Sequence, residues 1–280
     1  MKFGAKEIVL ALMVVVAVFV LLLDSDKHRL PPLKPVVSVY LESDSPAVDR
    51  LLERFAKQKD IRIERIDARE VAPEKADADL FIADAPNHIE VLRNKGMLKP
   101  FDLNVTSDDA DANRYWYGFA PRKMVLLLDT SKTDAVQGIE AFAIPSLRGK
   151  AVMARSDDAP TAAYLSHLRS RWGDDRSNAF FNRLKRNEIT FADDRNQSAR
   201  AVAEGLFDVT LVDEETADYW MRNDANLTVR CPDREGNESV CPEIPHAVAF
   251  FKKSRHPRLA LELAKFLVQN EANASETKRP

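Results

Sequence analysis

Residues 36–41 have the sequence VVSVYL, and this apolar run predicts a buried β-strand. Residues 48–55 follow with apolar side chains at the spacing i, i+3, i+4, i+7, which predicts an amphipathic helix. Two more apolar runs, at 61–66 and 79–83, predict strands, and residues 86–94 predict a second helix. This alternation of strands and helices is typical of an open α/β sheet.

A second α/β series begins near Lys123. Its predicted strands cover residues 124–128, 151–154, 207–212 and 247–251. Its predicted helices cover residues 160–172, 175–187, 196–204 and a last helix with the apolar stripe Leu259, Leu263, Phe266 and Leu267. The chain therefore crosses from one α/β lobe to another and later returns. We expect lobe 1 to contain residues 36–121 and 245–280, lobe 2 to contain residues 122–244, and a cleft to lie between them.

The N-terminal region is predicted to place the protein at a membrane. Residues 1–7 form a short cytoplasmic segment, and 8–23 is an unbroken apolar run, roughly 24 Å long as a helix against a hydrocarbon core of about 30 Å. This run is either a transmembrane anchor or a secretory signal, and we favour the anchor because no small-x-small cleavage site follows it. Residues 24–35 form a proline-containing spacer. The body is therefore expected in the periplasm or outside the cell.

The chain has 2 cysteines, Cys231 and Cys241. In an exported protein they can form a disulfide that closes the loop between them. Two free thiols are the alternative, and a zinc site is disfavoured because no CxxC motif or paired histidines accompany them.

Composition and motifs exclude several functions. The formal net charge is -3 with both signs scattered along the chain, so no basic face for nucleic acid is indicated. Only 8 glycines occur, and neither phosphate-binding glycine motif is present. The chain also contains no HExxH, GxSxG or CxxC motif, so no residue is singled out for catalysis and we do not expect an enzyme.

Several segments together resemble the iron(III)-binding branch of bacterial ABC-transporter substrate-binding proteins. The order and spacing of these segments carry the resemblance, more than any one of them alone. They are residues 37–40 with Asp44, 78–81, 92–101, 116–122, 147–151, 203–209 and 244–249.

The resemblance implies an α/β, two-lobed type II periplasmic-binding-protein-like fold with a central cleft, here preceded by an N-terminal membrane helix. It implies a non-enzymatic solute-binding protein of an ABC-type importer, which captures a metal ion or small anion between its lobes. The expected partners are this small-molecule or ion ligand and an ABC permease in the membrane, with no nucleic acid, and the protein is expected to be a monomer. The sequence itself defines no cofactor; the resemblance implies a bound metal ion such as iron(III).

Candidate ligand contacts come from strand ends and helix starts, where open sheets bind ligands. Asp44 and Asp84 follow predicted strands, although each could instead cap the next helix. Arg122 lies at the crossing, where its charge could clamp a carboxylate or phosphate or form an interlobe salt bridge. The remaining candidates lie at or near helix starts in lobe 2: Thr161, Asn196, Gln197, Ser198 and Arg200.

A candidate metal set is formed by Asp213, Glu215 and Tyr219, because hard cations prefer oxygen ligands. The alternative is that the two acidic residues only favour the start of a helix through its dipole. Where iron-binding members carry adjacent tyrosines, this chain has Tyr219 followed by Trp220, so one phenolate is available. The rival function is a membrane-anchored interaction or sensor protein on the same scaffold, with a degenerate ligand site.

Overall fold

The computed structural model describes residues 34–105, 109–236 and 238–270. A compact unit begins at Val36. The elements before the crossing are β1 (Val36–Leu41), α1 (Pro46–Lys59), β2 (Arg62–Asp67), β3 (Leu80–Ala83), α2 (Pro86–Asn94) and β4 (Leu98–Lys99). The later elements are β5 (Trp116–Asp129), β6 (Ala151–Ala154), α3 (Ala159–Arg186), β7 (Thr190–Ala192), α4 (Arg195–Ala203), β8 (Val209–Asp213), α5 (Glu214–Met221), β9 (Leu227–Arg230), β10 (Asp233–Glu235), β11 (Glu238–Val240), β12 (Glu243–Phe251) and α6 (Pro257–Gln269). Three short 3-10 helices cover Thr130–Lys132, Ile139–Ala143 and Pro145–Leu147.

One 10-stranded sheet runs through the unit in the order β2-β1-β3-β12-β5-β8-β6-β7, with β4 paired to β12 and β9 paired to β5. Its centre is the antiparallel pair of β5 and β12. Trp116 of β5 lies opposite Ala249 of β12 at one end of the pair, and Lys123 lies opposite Glu243 at the other. The register shifts between Ile244 and His246. Beyond this pair, β5 continues into the second half of the sheet, where it pairs with β8. Strands β5 and β12 therefore connect the two halves.

Local sequence explains where the helices begin and break. The hydroxyl of Ser45 accepts a hydrogen bond from the backbone N–H of Ala47, and Pro46 occupies the first turn, so α1 begins there. Helix α3 is interrupted at Gly173, whose φ of 76° is a left-handed conformation that favours glycine. This break separates the two helices that the sequence predicts at 160–172 and 175–187.

Helices cover both faces of each half of the sheet. In the first half, one core packs Leu52 of α1 and Leu263 of α6 against β1, and the other packs Ile89 of α2 against Phe81 of β3. In the second half, alternate residues of β5 enter opposite cores: Leu126 and Leu128 on one face, Val125 and Leu127 on the other. These cores pack around the inner strands, and charged residues follow or end two of them: Asp84 follows β3 and Asp213 ends β8.

The predicted membrane segment, residues 8–23, lies outside the described residues, as do residues 1–7 and most of the predicted spacer 24–35. Among the helices that the structure describes, none has the length and apolar character needed to cross a membrane. The predicted lobe boundaries at 121/122 and 244/245 fall within the crossing strands, and they stay a prediction.

Candidate functional site

A buried arginine lies where the two halves of the sheet meet. Arg122, on β5, is only 4% exposed. Its Nη1 lies 2.8 Å from Oδ1 of Asp84 and 2.6 Å from Nε2 of His246, and its Nη2 donates to the backbone carbonyl of Asp84. Arg122 therefore ties the end of β3 to both crossing strands.

A second arginine, Arg195, begins α4 and is surrounded by carboxylates. Its Nη2 lies 2.6 Å from Oδ2 of Asp84, its Nη1 lies 3.0 Å from Oδ2 of Asp213, and its Nε lies 3.2 Å from Oδ1 of Asp158. The three carboxylates come from the ends of β3 and β8 and from the start of α3. We call Asp84, Arg122, Asp158, Arg195 and Asp213 the charged cluster.

Asp84 bridges the two arginines of the charged cluster. Burial would raise the pKa of Asp84, but the charges of Arg122 and Arg195 outweigh this effect and lower its pKa. The pKa of Asp213 is also lowered: burial is the largest single effect and would raise this pKa, but the charges of Arg195 and Arg122 and the hydrogen bond from Thr216 together outweigh it. For Asp158 the effect of burial is larger than the opposing effects of Arg195 and Thr161, so the pKa of this carboxyl is raised. Two fixed positive charges thus face two firmly ionised carboxylates and a third that is easier to protonate.

His246 supports Arg122 as a neutral ring. Its burial, and then the charge of Arg122, lower the pKa of His246 to about 3. Nδ1 lies 2.9 Å from the carbonyl oxygen of Ala120, so this nitrogen carries the proton and donates it. Nε2 is then free of a proton and accepts from Arg122. The lone pair that a metal would need is therefore already used.

Two carboxylates of the charged cluster also cap helices. Asp158 accepts the backbone N–H of Thr161 at 3.1 Å, and Asp213 accepts the backbone N–H of Thr216 at 2.9 Å. Helices α3 and α5 therefore begin beside Arg195, because the residues that start them are the residues that bind it. Helix capping and ion pairing use different oxygens of Asp158, Oδ2 and Oδ1.

Two polar contacts lie next to the charged cluster. The hydroxyl of Ser45, at the start of α1, donates to Oε2 of Glu215 on α5 at 2.6 Å. This hydrogen bond joins a helix of the first half to a helix of the second half. Glu42 Oε1 lies 2.7 Å from Nδ1 of His88, and Glu42 Oε2 accepts the backbone N–H of Asp84 at 3.2 Å. The hydrogen bond to Glu42 raises the pKa of His88, against the opposing effect of burial.

The structure brings together only part of the predicted ligand set. Asp84 and Arg122 belong to the charged cluster, whereas Asp44 is exposed and pairs with Arg69 at 2.7 Å. Thr161 is fully buried behind its capping residue Asp158.

Helix α4 contributes a residue that the sequence analysis did not select. Asn196 and Gln197 are exposed, Ser198 is buried and donates to the carbonyl of Arg195 at 2.9 Å, and Arg200 faces outward in a pair with Glu204. Arg195 is the member of α4 that reaches the charged cluster. The signal was its position directly after Asp194, which caps α4 by accepting the N–H of Gln197.

The three predicted metal ligands have separate surroundings. Asp213 binds Arg195 and caps α5, Glu215 accepts from Ser45, and Tyr219 is 59% exposed. Within residues 34–105, 109–236 and 238–270, no group of three His, Cys, Asp or Glu side chains is arranged to hold a metal ion. A metal site that also uses Tyr219 stays a prediction.

In the structure Cys231 and Cys241 are joined by a disulfide, the pairing that the sequence suggests. The bond closes the loop that contains β10 and β11. This loop lies in the second half of the chain, and none of its residues belongs to the charged cluster.

Known structures share this fold. Iron-bound HitA from Pseudomonas aeruginosa aligns with a TM-score of 0.71 and 16% identity over 87% of this chain and 84% of HitA. Apo ferric ion-binding protein A from Pasteurella haemolytica aligns with a TM-score of 0.69 and 18% identity over 83% and 79%. AfuA from Actinobacillus pleuropneumoniae, with fructose-6-phosphate bound, aligns with a TM-score of 0.67 and 15% identity over 88% and 83%. These likenesses confirm the type II periplasmic-binding-protein fold.

No curated protein matches the chain in sequence. Residues 37–278 match the model of a family described as bacterial extracellular solute-binding protein. The matched range begins at the second residue of β1 and includes all the later strands and helices of the described structure. The chain therefore belongs to the bacterial extracellular solute-binding protein family.

Proposed function

We propose that this solute-binding protein of an ABC-type importer captures a small anionic solute at the charged cluster, with Arg122 and Arg195 as its direct contacts. The observation that carries the proposal is that both guanidiniums bind one carboxylate, that of Asp84. This carboxylate stands where a carboxylate or phosphate group of a solute would bind. Arginine suits this role because its planar fork binds such groups through two hydrogen bonds.

The position of the charged cluster supports the proposal. In open α/β sheets, ligands bind beyond the carboxyl ends of the strands, where helix N-termini also meet. Asp84 follows β3, Asp213 ends β8, and Arg195 begins α4. AfuA, which shares the fold, has fructose-6-phosphate bound. A solute with a phosphate or carboxylate group therefore fits both the chemistry and the place.

Iron(III) is the second candidate solute. HitA, which shares the fold, is iron-bound. In this chain iron(III) would have oxygen ligands from Asp213, Glu215 and Tyr219, as the sequence predicts. Asp213 would first have to leave Arg195, and Glu215 would have to leave Ser45. Because of these two costs, we place the anionic solute first.

We further propose how the protein works in transport. Residues 36–121 and 245–280 act as one lobe and residues 122–244 as the other, and they close on the solute by bending at the crossing strands. The protein acts as a monomer in the periplasm or outside the cell, held at the membrane by residues 8–23, and it delivers its solute to an ABC permease.

Thermal unfolding of the full-length protein tests the proposal. Phosphate, fructose-6-phosphate, citrate, calcium and iron(III) are each added to the wild type, to Arg195→Gln and to Arg200→Gln. A solute present at about 100 times its Kd should raise the midpoint by roughly 5 °C or more. For an anion, we expect this shift in the wild type and in Arg200→Gln and its loss in Arg195→Gln, because Arg200 is exposed and paired only with Glu204.

The two candidate solutes give different results. A shift with iron(III) alone, lost in Tyr219→Phe and kept in Arg195→Gln, would replace the anionic solute by iron. If Arg195→Gln responded to the anions as strongly as the wild type, the charged cluster would not be the binding site. No shift with any solute would contradict the proposal as a whole.

A further inference from the structure

A pocket in the second half of the chain lies apart from the charged cluster. It encloses about 400 Å³ between the 3-10 helix Ile139–Ala143, the middle of α3 and the segment after Cys231. This volume is within the usual range for small-molecule sites, about 300–1,000 Å³. None of the residues that line the pocket belongs to the charged cluster. A ligand held here would therefore bind independently of the transported solute.

Part of the pocket lining is apolar and includes an aromatic ring. Ile139, Ile144 and Pro232 contribute aliphatic surface, and Trp172 contributes its indole. The ring of Trp172 is held edge-on against Phe180, with ring centroids 5.3 Å apart. A fixed aromatic side chain in an apolar wall favours a flat, apolar ligand body.

The lining also carries an excess of positive charge. Arg171, Arg176 and Arg234 line the pocket together with the acidic residues Asp233 and Glu140. Each acidic residue already binds one arginine: Asp233 Oδ2 lies 2.5 Å from Nη1 of Arg171, and Glu140 Oε1 lies 3.1 Å from Nη2 of Arg176. Arg234 has no carboxylate partner among the described residues. The lining therefore favours an anionic group.

The guanidinium of Arg176 lies over the ring of Trp172. Its Cζ is 4.4 Å from the ring centre of Trp172, and its side chain is 55% exposed. Arg176 therefore covers part of the Trp172 ring, so a ligand ring would pack against the aliphatic wall beside it, with an attached carboxylate within reach of Arg176. Exposed pairs such as the one between Arg176 and Glu140 contribute little, so this arginine can change partner at low cost.

The walls of the pocket are held in place before any ligand binds. The N–H of Ile139 donates to the carbonyl oxygen of Pro232 at 2.8 Å, next to the disulfide at Cys231. Buried Asp233 accepts the hydroxyl of Tyr164 at 2.6 Å as well as binding Arg171. A preformed pocket loses less entropy when it binds a ligand.

We infer that this pocket is a second ligand site that takes a small aromatic carboxylate, with the ring against the apolar part of the lining and the carboxylate between Arg176 and Arg234.

Fluorine NMR of 4-fluorobenzoate with the full-length protein tests the inference. We expect saturable broadening of the fluorine signal by the wild type and none for 4-fluorobenzylammonium, whose charge is opposite. Arg176→Gln should weaken binding about tenfold, because a charge-assisted hydrogen bond is lost. The matched control is Arg169→Gln: Arg169 is also on α3, stacks on Phe181 at 5.9 Å and lies outside the lining. It should bind like the wild type.

Two further variants separate the outcomes. Trp172→Leu, checked for an unchanged unfolding midpoint, should weaken binding without changing charge. Arg195→Gln should leave the binding of 4-fluorobenzoate unchanged, which would support a site separate from the charged cluster. The inference is overturned if the wild type gives no saturable broadening in the millimolar range, or if Arg176→Gln and Trp172→Leu both bind like the wild type. It is also overturned if Arg195→Gln abolishes binding, because the ligand would then occupy the charged cluster.

Discussion

Oδ2 of Asp84 lies 2.6 Å from Nη2 of Arg195, so an ion pair joins the end of β3 to the start of α4 across the two halves of the sheet. The other oxygen of Asp84 binds Arg122 at 2.8 Å. The chain thus supplies an internal anion to both arginines. An external anion has to displace the carboxylate of Asp84. The measured binding free energy of the anion is therefore the difference between its own interaction with the two arginines and the interaction of Asp84 with them.

Replacing Asp84 should weaken the fold and strengthen anion binding. Asp84→Asn leaves two buried guanidiniums short of one negative charge, and we expect a loss of about 3–5 kcal/mol in the free energy of unfolding. Phosphate should restore more stability to Asp84→Asn than to the wild type, because it can take the vacated position. Urea unfolding with and without phosphate measures both effects. Asp44→Asn, at an exposed carboxylate, is the control, and an equal phosphate effect in all three proteins would contradict the prediction.

Replacing Arg195 should change how stability depends on pH. In the wild type the pKa values of Asp84 and Asp213 are lowered, so their contribution is present at neutral pH and is lost only as pH falls below the ordinary carboxyl range. In Arg195→Gln both carboxylates stay buried, Asp213 without its main cation and Asp84 with Arg122 alone, so their pKa values should rise.

The variant should therefore be about 3–5 kcal/mol less stable at neutral pH and should recover part of this loss as pH falls towards 5. Chemical unfolding at several pH values measures the slope. Arg200→Gln, on the same helix, should behave like the wild type. A uniform loss for Arg195→Gln at every pH would show that the carboxylates do not carry the effect.

His246 should make the wild type less stable in mild acid. Its pKa falls from 6.5 in the unfolded chain to about 3 in the folded protein, so below pH 6.5 the unfolded state binds a proton that the folded state does not. Stability therefore decreases as pH falls, by about 2 kcal/mol between pH 6.5 and 5. Arg122, Asp84 and Asp213 are the charged groups that act on this ring. His246→Gln should flatten this part of the stability profile, and an unchanged slope would contradict the assignment of a neutral ring.

Removing the disulfide should loosen one wall of the second pocket. The two cysteines are 10 residues apart, and opening a loop of this length should cost about 2–3 kcal/mol. Replacing both Cys231 and Cys241 by serine should therefore lower the unfolding midpoint and weaken the binding of 4-fluorobenzoate. Anion binding at the charged cluster should be unaffected. Reduction of the wild type should reproduce the double variant, and a difference between them would show that the serines themselves perturb the loop.

The long elements of the fold were predictable from sequence, because apolar spacing records which faces are buried. The short strands β4, β7, β9, β10 and β11 are not predicted, since two to four residues show no period and none of these strands is a fully apolar run like β3 and β6. The break at Gly173 was predicted as a gap between helices, and its left-handed φ confirms it.

The candidate site was predictable only in part. Asp84 and Arg122 were selected because they follow strands, which is a local signal. Arg195 and Arg200 both lie near the start of α4, and this position alone does not say which of them reaches a carboxylate 111 residues away in sequence. Asp213 is predicted either as a metal ligand or as a residue that favours a helix start; the fold uses it to cap α5 and to bind Arg195, and the metal role stays a prediction. Such long-range pairing leaves no pattern in a single sequence.

The placement of Arg122 on β5 has a mechanical consequence. If the two halves rotate about a hinge at β5 and β12, Arg122 lies at the hinge and moves little. Arg195, at the start of α4, moves with the second half of the sheet. A bound solute would then contact one arginine that stays in place, Arg122, and one that moves, Arg195. Opening would break the contact between the solute and Arg195 and keep the contact to Arg122. Substitutions around α4 would therefore change the rate at which the solute is released, while Arg122 would keep the orientation of the solute.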